Sequence, residues 1–167
     1  MGEKIALSIT GFLGASIGKI IGVFIIAMLP IIELRGAIPV AFAMNLDWKV
    51  AMICAIIGNL LPIPFILLFL DAIFNFMKKH NIFKSFVLWL EEKGRKNAPK
   101  IEKYGFWGLM IFVAIPLPGT GGWTGALIAS VMKMSKKKSI ISISLGVIIA
   151  AVIVTILTYG FVGSVIK

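Results

Sequence analysis

The chain predicts an all-α integral membrane protein, assembled as an inverted repeat of amphipathic helix, re-entrant helical hairpin and transmembrane helix. Three observations lead there. Of the 167 residues 59% are apolar, and the mean hydropathy is +1.03, well above the range of soluble domains. Two apolar stretches are long enough to cross a bilayer, and two others are interrupted at their centres by prolines and glycines. The order limb, break, limb and long apolar stretch occurs twice. The size suits one membrane domain over residues 1–167, with repeat 1 at about 1–70 and repeat 2 at about 72–166. No linker or low-complexity run marks a second domain.

The N-terminal run MGEKIALSITGFLGASIGK has a lysine and small residues but no apolar run ending in a cleavage site, so it reads as retained rather than as a signal peptide. Residues 19–30 then make a short entering limb, 31–36 a loop, and 37–46 a returning limb. A competing reading makes residues 11–32 a full span and puts the N-terminus in the cytoplasm. Residues 50–70 follow as the first confident span, with Asn59 its strongly polar member; a ~30 Å hydrocarbon core needs about 20 apolar residues. Pro62 and Pro64 kink that span. Cys54, alone in an apolar run, is a packing residue; no spacing suggests a metal site, a disulfide or a cofactor.

In AIFNFMKKHNIFKSFVLWLEE the residues Ile73, Phe76, Phe83, Val87 and Leu90 recur at helical spacing beside lysines. That suits an interfacial basic segment over 72–103 lying on the membrane. His80 falls near this stripe as an interfacial or packing residue, with a proton carrier as the alternative. Residues 105–132 would suit one tilted span were Pro116, Pro118, Gly119, Gly121 and Gly122 not at their centre. Proline removes a helical hydrogen bond and glycine favours non-helical backbone. Each remaining limb, at about 10 to 12 residues, is roughly 15 to 18 Å long and cannot cross alone. Residues 140–162 form the second confident span.

The net charge of +10 does not indicate nucleic-acid binding, because of where the charge sits. Eight basic residues lie between Lys78 and Lys103 and four between Lys133 and Lys138, both groups flanking apolar segments. A re-entrant hairpin at 105–132 keeps all of them on the cytoplasmic side, as the charge bias of membrane proteins requires. A shift of 86 residues places Gly22 on Gly108, Pro30 on Pro116 and Gly36 on Gly122, and a shift of 88 places Gly58 on Gly146. One hairpin and one span per repeat make a single crossing, so the second copy is inserted upside down relative to the first.

Non-helical backbone at membrane depth needs protein or water around it, so the two breaks, at Pro30 and Pro39 and at Pro116 and Pro118, are expected to meet near the midplane. The returning limbs, starting near Ala37 and Trp123, would present helix N-termini to an anion. Gly119, Thr120 and Gly121 add flexible backbone and a hydroxyl, and Arg35 beside Gly36 adds a fork that fits phosphate or carboxylate. Glu33 is the candidate proton carrier, a carboxyl placed between burial and the neighbouring Arg35. The alternative is that Glu33 and Arg35 pair or brace the loop. Asn59 either packs between helices or lines the cavity.

ELRGAIP in the first break and PLPGTGGWTGALIAS in the second, at this length and spacing, resemble the small multidrug export proteins, a prokaryotic family, over nearly the whole chain. That family resembles in turn the DedA and VTT superfamily of membrane proteins with paired re-entrant hairpins. The resemblance implies a multi-pass protein of the cell membrane that moves lipids, including undecaprenyl phosphate, with dependence on the proton gradient. By motif it carries Glu33, Arg35, Gly36 and Pro39, then Pro116, Pro118, Gly119, Thr120, Gly121 and Trp123. DedA proteins have arginines in the second hairpin; PGTGGW has none.

The expected function is therefore a proton-coupled transporter of an anionic amphiphile, such as a polyprenyl phosphate or phospholipid headgroup. Its partners would be membrane lipids, a small amphiphilic substrate and protons, with a homodimer left open and no nucleic acid. Export of cationic amphiphilic drugs, with Glu33 as the counter-charge, is the alternative within transport, and a non-transporting structural membrane protein the alternative outside it. An enzyme is not expected: HExxH and paired aspartates are missing, and the chain has one histidine.

Overall fold

The structure is a computed structural model that describes residues 2–80, 85, 88, 89, 92, 105–117 and 119–165. All regular structure among the described residues is helical. The long elements are α1 (Gly2–Met28), α2 (Glu33–Ala43), α3 (Trp48–Leu60), α4 (Pro62–Lys79), α5 (Gly105–Ala114), α6 (Gly122–Val131) and α7 (Lys136–Thr155). After α7 the chain continues as a π-helix, Ile156–Val162.

Two helical stretches are long and apolar enough to cross a membrane, Trp48–Phe69 and Lys136–Val162. They correspond to the two expected spans. The first is α3 and α4 joined at Leu61, where the chain stays helical but Pro62 and Pro64 bring no N–H to the carbonyls of Gly58 and Leu60. α5 and α6 have 10 residues each, about 15 Å at 1.5 Å per residue, half of a ~30 Å hydrocarbon core. They flank the expected proline and glycine break, although Pro118 itself lies outside the described residues.

Alanines fill much of the interior beside Leu34, Ile38, Ile63 and Leu109, and many large apolar side chains lie outside. Ala27, Ala37, Ala41, Ala51, Ala55, Ala126, Ala150 and Ala151 are buried, whereas Ile21, Ile25, Ile53, Ile57, Phe65, Trp107, Ile111 and Phe161 are more than half exposed. Such an apolar surface suits lipid, where small residues let helix backbones approach. α1 packs on α2 and α3, α5 packs on α6 and α7, and α3 meets α7 at the centre. Gly58 of α3 lies against α1, where an added Cβ would fall 2.5 Å from the Phe24 carbonyl oxygen and 3.0 Å from the Ala27 Cβ. Gly146 of α7 lies against α5 in the same way, 2.7 Å from the Met110 carbonyl oxygen and 2.7 Å from the Val113 Cβ.

The connections after α2 and α6 also match. Leu46 N–H donates to Ala41 and Asn45 N–H to Phe42; Met134 N–H donates to Ala129 and Lys133 N–H to Ser130. These are two Schellman caps, with Asn45 at φ 56° and Lys133 at φ 52° in the left-handed position. The next residue but one caps the following helix: Asp47 accepts from Lys49 and Val50 amides, and Ser135 from the Lys138 amide. Every member of the second set stands 88 residues after its counterpart.

Several sequence-based boundaries shift. The first limb is not confined to 19–30, since α1 begins at Gly2 and runs unbroken to Met28. The first loop is not 31–36 but 29–32, because Gly36 N–H already donates to the Ile32 carbonyl and the helix starts at Glu33. Pro39 is therefore inside α2 and is not a break. Its missing N–H falls opposite the Arg35 carbonyl, in the first turn of the helix, and α2 continues through it. With no proline or glycine between Pro64 and Lys79, α4 passes residue 71 without interruption and ends at Lys79. Beyond His80, whose ring lies tilted against that of Phe76 at 4.5 Å between centroids, most of the expected interfacial segment lies outside the described residues, including Phe83, Val87 and Leu90.

Gly58→Ala and Gly146→Ala each push a methyl group into the backbone of a neighbouring helix. Each is expected to destabilise the protein by about 1–3 kcal/mol, seen as a lower unfolding temperature in detergent. An unchanged unfolding temperature in both would show that the helices are not held this close.

Candidate functional site

The two breaks face each other across a cavity of about 470 Å³, lined by Pro30, Ile31, Ile32, Glu33, Arg35, Gly36, Pro116, Leu117, Gly119, Thr120 and Thr124. Ile31 is 93% exposed and Leu117 56%, so an apolar rim surrounds a polar floor. What builds the floor is the shortage of backbone partners at four helix ends. The first N–H groups and last C=O groups of a helix have no partner within it, and apolar surroundings offer none.

Glu33 meets the N-terminus of α6. Its carboxylate accepts from the Trp123 amide at 3.1 Å and from the Gly122 amide at 3.3 Å. It also accepts from Arg35 Nη1 at 3.2 Å and from Asn59 Nδ2 at 3.5 Å. Arg35 meets the C-terminus of α5. Nη2 donates to the Val113 carbonyl at 3.2 Å, the Ile115 carbonyl at 3.0 Å and Thr120 Oγ1 at 2.9 Å, while Nη1 donates to the Thr120 carbonyl. The Thr120 hydroxyl lies 2.7 Å from the Ile115 carbonyl and 2.8 Å from that of Leu117, and so links the guanidinium to the turn. The second break reciprocates: Trp123 Nε1 donates to the carbonyl of Met28, the last residue of α1, at 3.1 Å.

Two backbone positions make room for this. Glu33 has φ 52°, a left-handed conformation that costs a non-glycine residue about 1–2 kcal/mol and aims its side chain across to α6. Gly121 has φ 133°, and a Cβ there would overlap Glu33 Oε2 and Arg35 Nη1. The pair is unequally covered, with the Arg35 side chain 16% exposed and that of Glu33 4%.

The structure brings Glu33, Arg35, Gly36, Gly119, Thr120, Pro30 and Pro116 to the cavity wall. Gly121 and Trp123 lie behind the wall in contact with Glu33, and so does Asn59, which is fully buried and does not line the cavity. Pro39 is away from it, within α2. The α6 amides expected to face an external anion are bonded to Glu33, and α2 starts at Glu33 rather than near Ala37. Sequence reasoning missed Thr124 and the carbonyls of Met28, Val113 and Ile115. The hydroxyl of Thr124, beside PGTGGW, could have been read; a carbonyl carries no signal in a sequence.

Residues 33–153 match the family described as "Putative small multi-drug export protein". No curated protein and no solved structure matches the chain.

Arg35→Lys keeps the charge but replaces a planar fork with a single ammonium, which cannot span the Val113, Ile115 and Thr120 acceptors together. A loss of about 1–3 kcal/mol in stability is expected, measured by thermal unfolding. Arg35→Gln should lose more, because it leaves the buried Glu33 carboxylate without its counter-charge. Equal stability of all three proteins would show that Arg35 does not hold the end of α5.

Proposed function

The chain belongs to the small multi-drug export protein family, and from that premise we propose that it is a proton-coupled membrane transporter, not an enzyme, whose substrate is an amphiphile with an anionic headgroup. One observation carries the choice of charge. Both residues line the cavity, but the Arg35 side chain is 16% exposed and that of Glu33 4%, with the Glu33 carboxylate bonded to the α6 amides. A headgroup entering between the breaks meets positive charge first, with the Thr120 and Thr124 hydroxyls beside it, while its tail rests on the apolar rim of Ile31, Ile32 and Leu117. Glu33 is the proton carrier in this reading. A polyprenyl phosphate or a phospholipid fits the description, and so would a relationship to the DedA and VTT lipid-moving proteins. Export of cationic drugs is what the family description favours; it would require Glu33 to leave the Gly122 and Trp123 amides and turn its carboxylate outward.

The proposal includes a multi-pass inverted repeat with two re-entrant hairpins, α1–α2 and α5–α6, their tips meeting at the cavity. The recurring glycine contacts at Gly58 and Gly146 and the paired caps after α2 and α6 support it. In the same reading the basic residues from Lys78 to Lys103 and from Lys133 to Lys138 are cytoplasmic.

Transport in proteoliposomes under an imposed pH gradient tests the function. Undecaprenyl phosphate is expected to move and a cationic dye is not; Glu33→Gln should abolish gradient-driven movement while the protein stays folded. Movement of the dye alone would reverse the assignment of charge. Topology is tested in a Cys54→Ala background with Asn45→Cys and Lys133→Cys, the two equivalent turn positions. An inverted repeat requires them to react with a membrane-impermeant thiol reagent from opposite faces, and labelling from the same face would rule it out.

A further inference from the structure

Glu33 occupies a place built to hold an anion, and the residues around it also suit the neutral form of its own carboxyl. We infer that Glu33 is an internal stand-in for the substrate's anionic group: headgroup and carboxylate take turns on the Gly122 and Trp123 amides beside Arg35, and Glu33 takes up one proton for each anion bound. The inference rests on the proposed transport of an anionic amphiphile and adds its coupling rule.

The amides belong to the first turn of a 10-residue helix, where aligned backbone dipoles and free N–H groups favour negative charge. Gly121 precedes them with no side chain, and the space its Cβ would fill borders Glu33 Oε2 and Arg35 Nη1. An oxyanion can therefore come as close as the carboxylate does. Arg35 would stay in position during the exchange, because the carbonyls of Val113, Ile115 and Thr120 hold it independently of Glu33.

Asn59 supplies the second half of the argument. It is fully buried, its Nδ2 faces Glu33 Oε2 at 3.5 Å, and its Oδ1 has no donor. That oxygen points at Gly122, where an added Cβ would lie 2.5 Å from it. Buried acceptors are seldom left unpaired. A carboxyl that has gained a proton on one oxygen has an O–H to donate, and rotation of the Asn59 amide would present Oδ1 to it. Asn59 is thus a positioning residue, able to donate to the ionised carboxyl and to accept from the neutral one.

Charge makes the alternation obligatory. The elements that touch Glu33 contribute Arg35 from α2, the neutral Asn59 from α3 and backbone amides from α6. An ionised Glu33 and a bound anion would place two negative charges against one guanidinium in apolar surroundings. Protonation of Glu33 leaves one negative charge on the site whether it is empty or loaded, so no unpaired charge is carried.

The test is calorimetric titration of the full-length protein in nanodiscs with dihexanoyl phosphatidylglycerol, a phosphodiester whose charge is constant around neutral pH. Repeating it in buffers of different protonation enthalpy counts protons. One proton taken up per lipid bound is expected for the wild type, with affinity falling about tenfold per unit of rising pH wherever Glu33 is ionised in the free protein. Glu33→Gln should bind the lipid with no proton uptake and no such slope. Binding to the wild type without proton uptake, or equal uptake by Glu33→Gln, would overturn the inference and leave the transport reading in place. Failure to bind the lipid, together with binding of tetraphenylphosphonium, would overturn both.

Discussion

Two interrupted helices in apolar surroundings leave backbone N–H and C=O groups that neither the helices nor lipid can satisfy, and the rest of the structure depends on how these groups are paired. At three of the four helix ends a partner comes from the opposite break, whereas at the start of α2 the Glu33 N–H donates to the Leu29 carbonyl of its own break. Glu33 serves the N-terminus of α6, Arg35 the C-terminus of α5, and Trp123 the C-terminus of α1. Neither break can move alone without uncovering buried polar groups of the other.

The cross-pairing explains why the packing around it is so close. A glutamate side chain is short, and it reaches amides 89 and 90 residues away in sequence only because the flanking helices nearly touch. Gly58 and Gly146 provide that closeness, letting α1 lie on α3 and α5 on α7 with carbonyl oxygens where a side chain would otherwise be. The buried alanines continue the same contact surface. In a membrane, where apolar side chains gain little by leaving lipid, close backbone packing is a main source of helix association. The small residues therefore contribute to stability and to the site together.

What the sequence revealed follows from the same chemistry. Proline and glycine act locally, so the interruption between α5 and α6 was legible, as were the two long apolar stretches. The matching caps at Asn45 and Lys133 were not read, since a lysine in the left-handed position gives no warning. The start of α2 was misread because Gly36 and Pro39 suggest a break in isolation, whereas the helix is decided by the Ile32 carbonyl, which accepts from Gly36. The alternative that Glu33 and Arg35 pair and brace was available from their spacing. Which backbone groups they brace was not, because helix ends from another part of the chain look like any other residues until the fold brings them close.

The absence of charge from the second break has a structural reason. A shift of 86 residues pairs Glu33 with Gly119, and both have positive φ, 52° and 83°. Glycine adopts this conformation without strain; glutamate does so at a cost, offset here by four hydrogen-bond donors on its carboxylate. Such strain is tolerated where surrounding contacts fix the residue. A second Glu and Arg pair at the equivalent place would bring four charges to one cavity, and each new charge would need donors or acceptors that the first pair already uses. One break can supply the side chains only if the other supplies bare backbone. The second break, with the Gly122 amide, the Thr120 carbonyl and a single hydroxyl, is that complement, and the asymmetry of the two breaks is what allows them to enclose a single site.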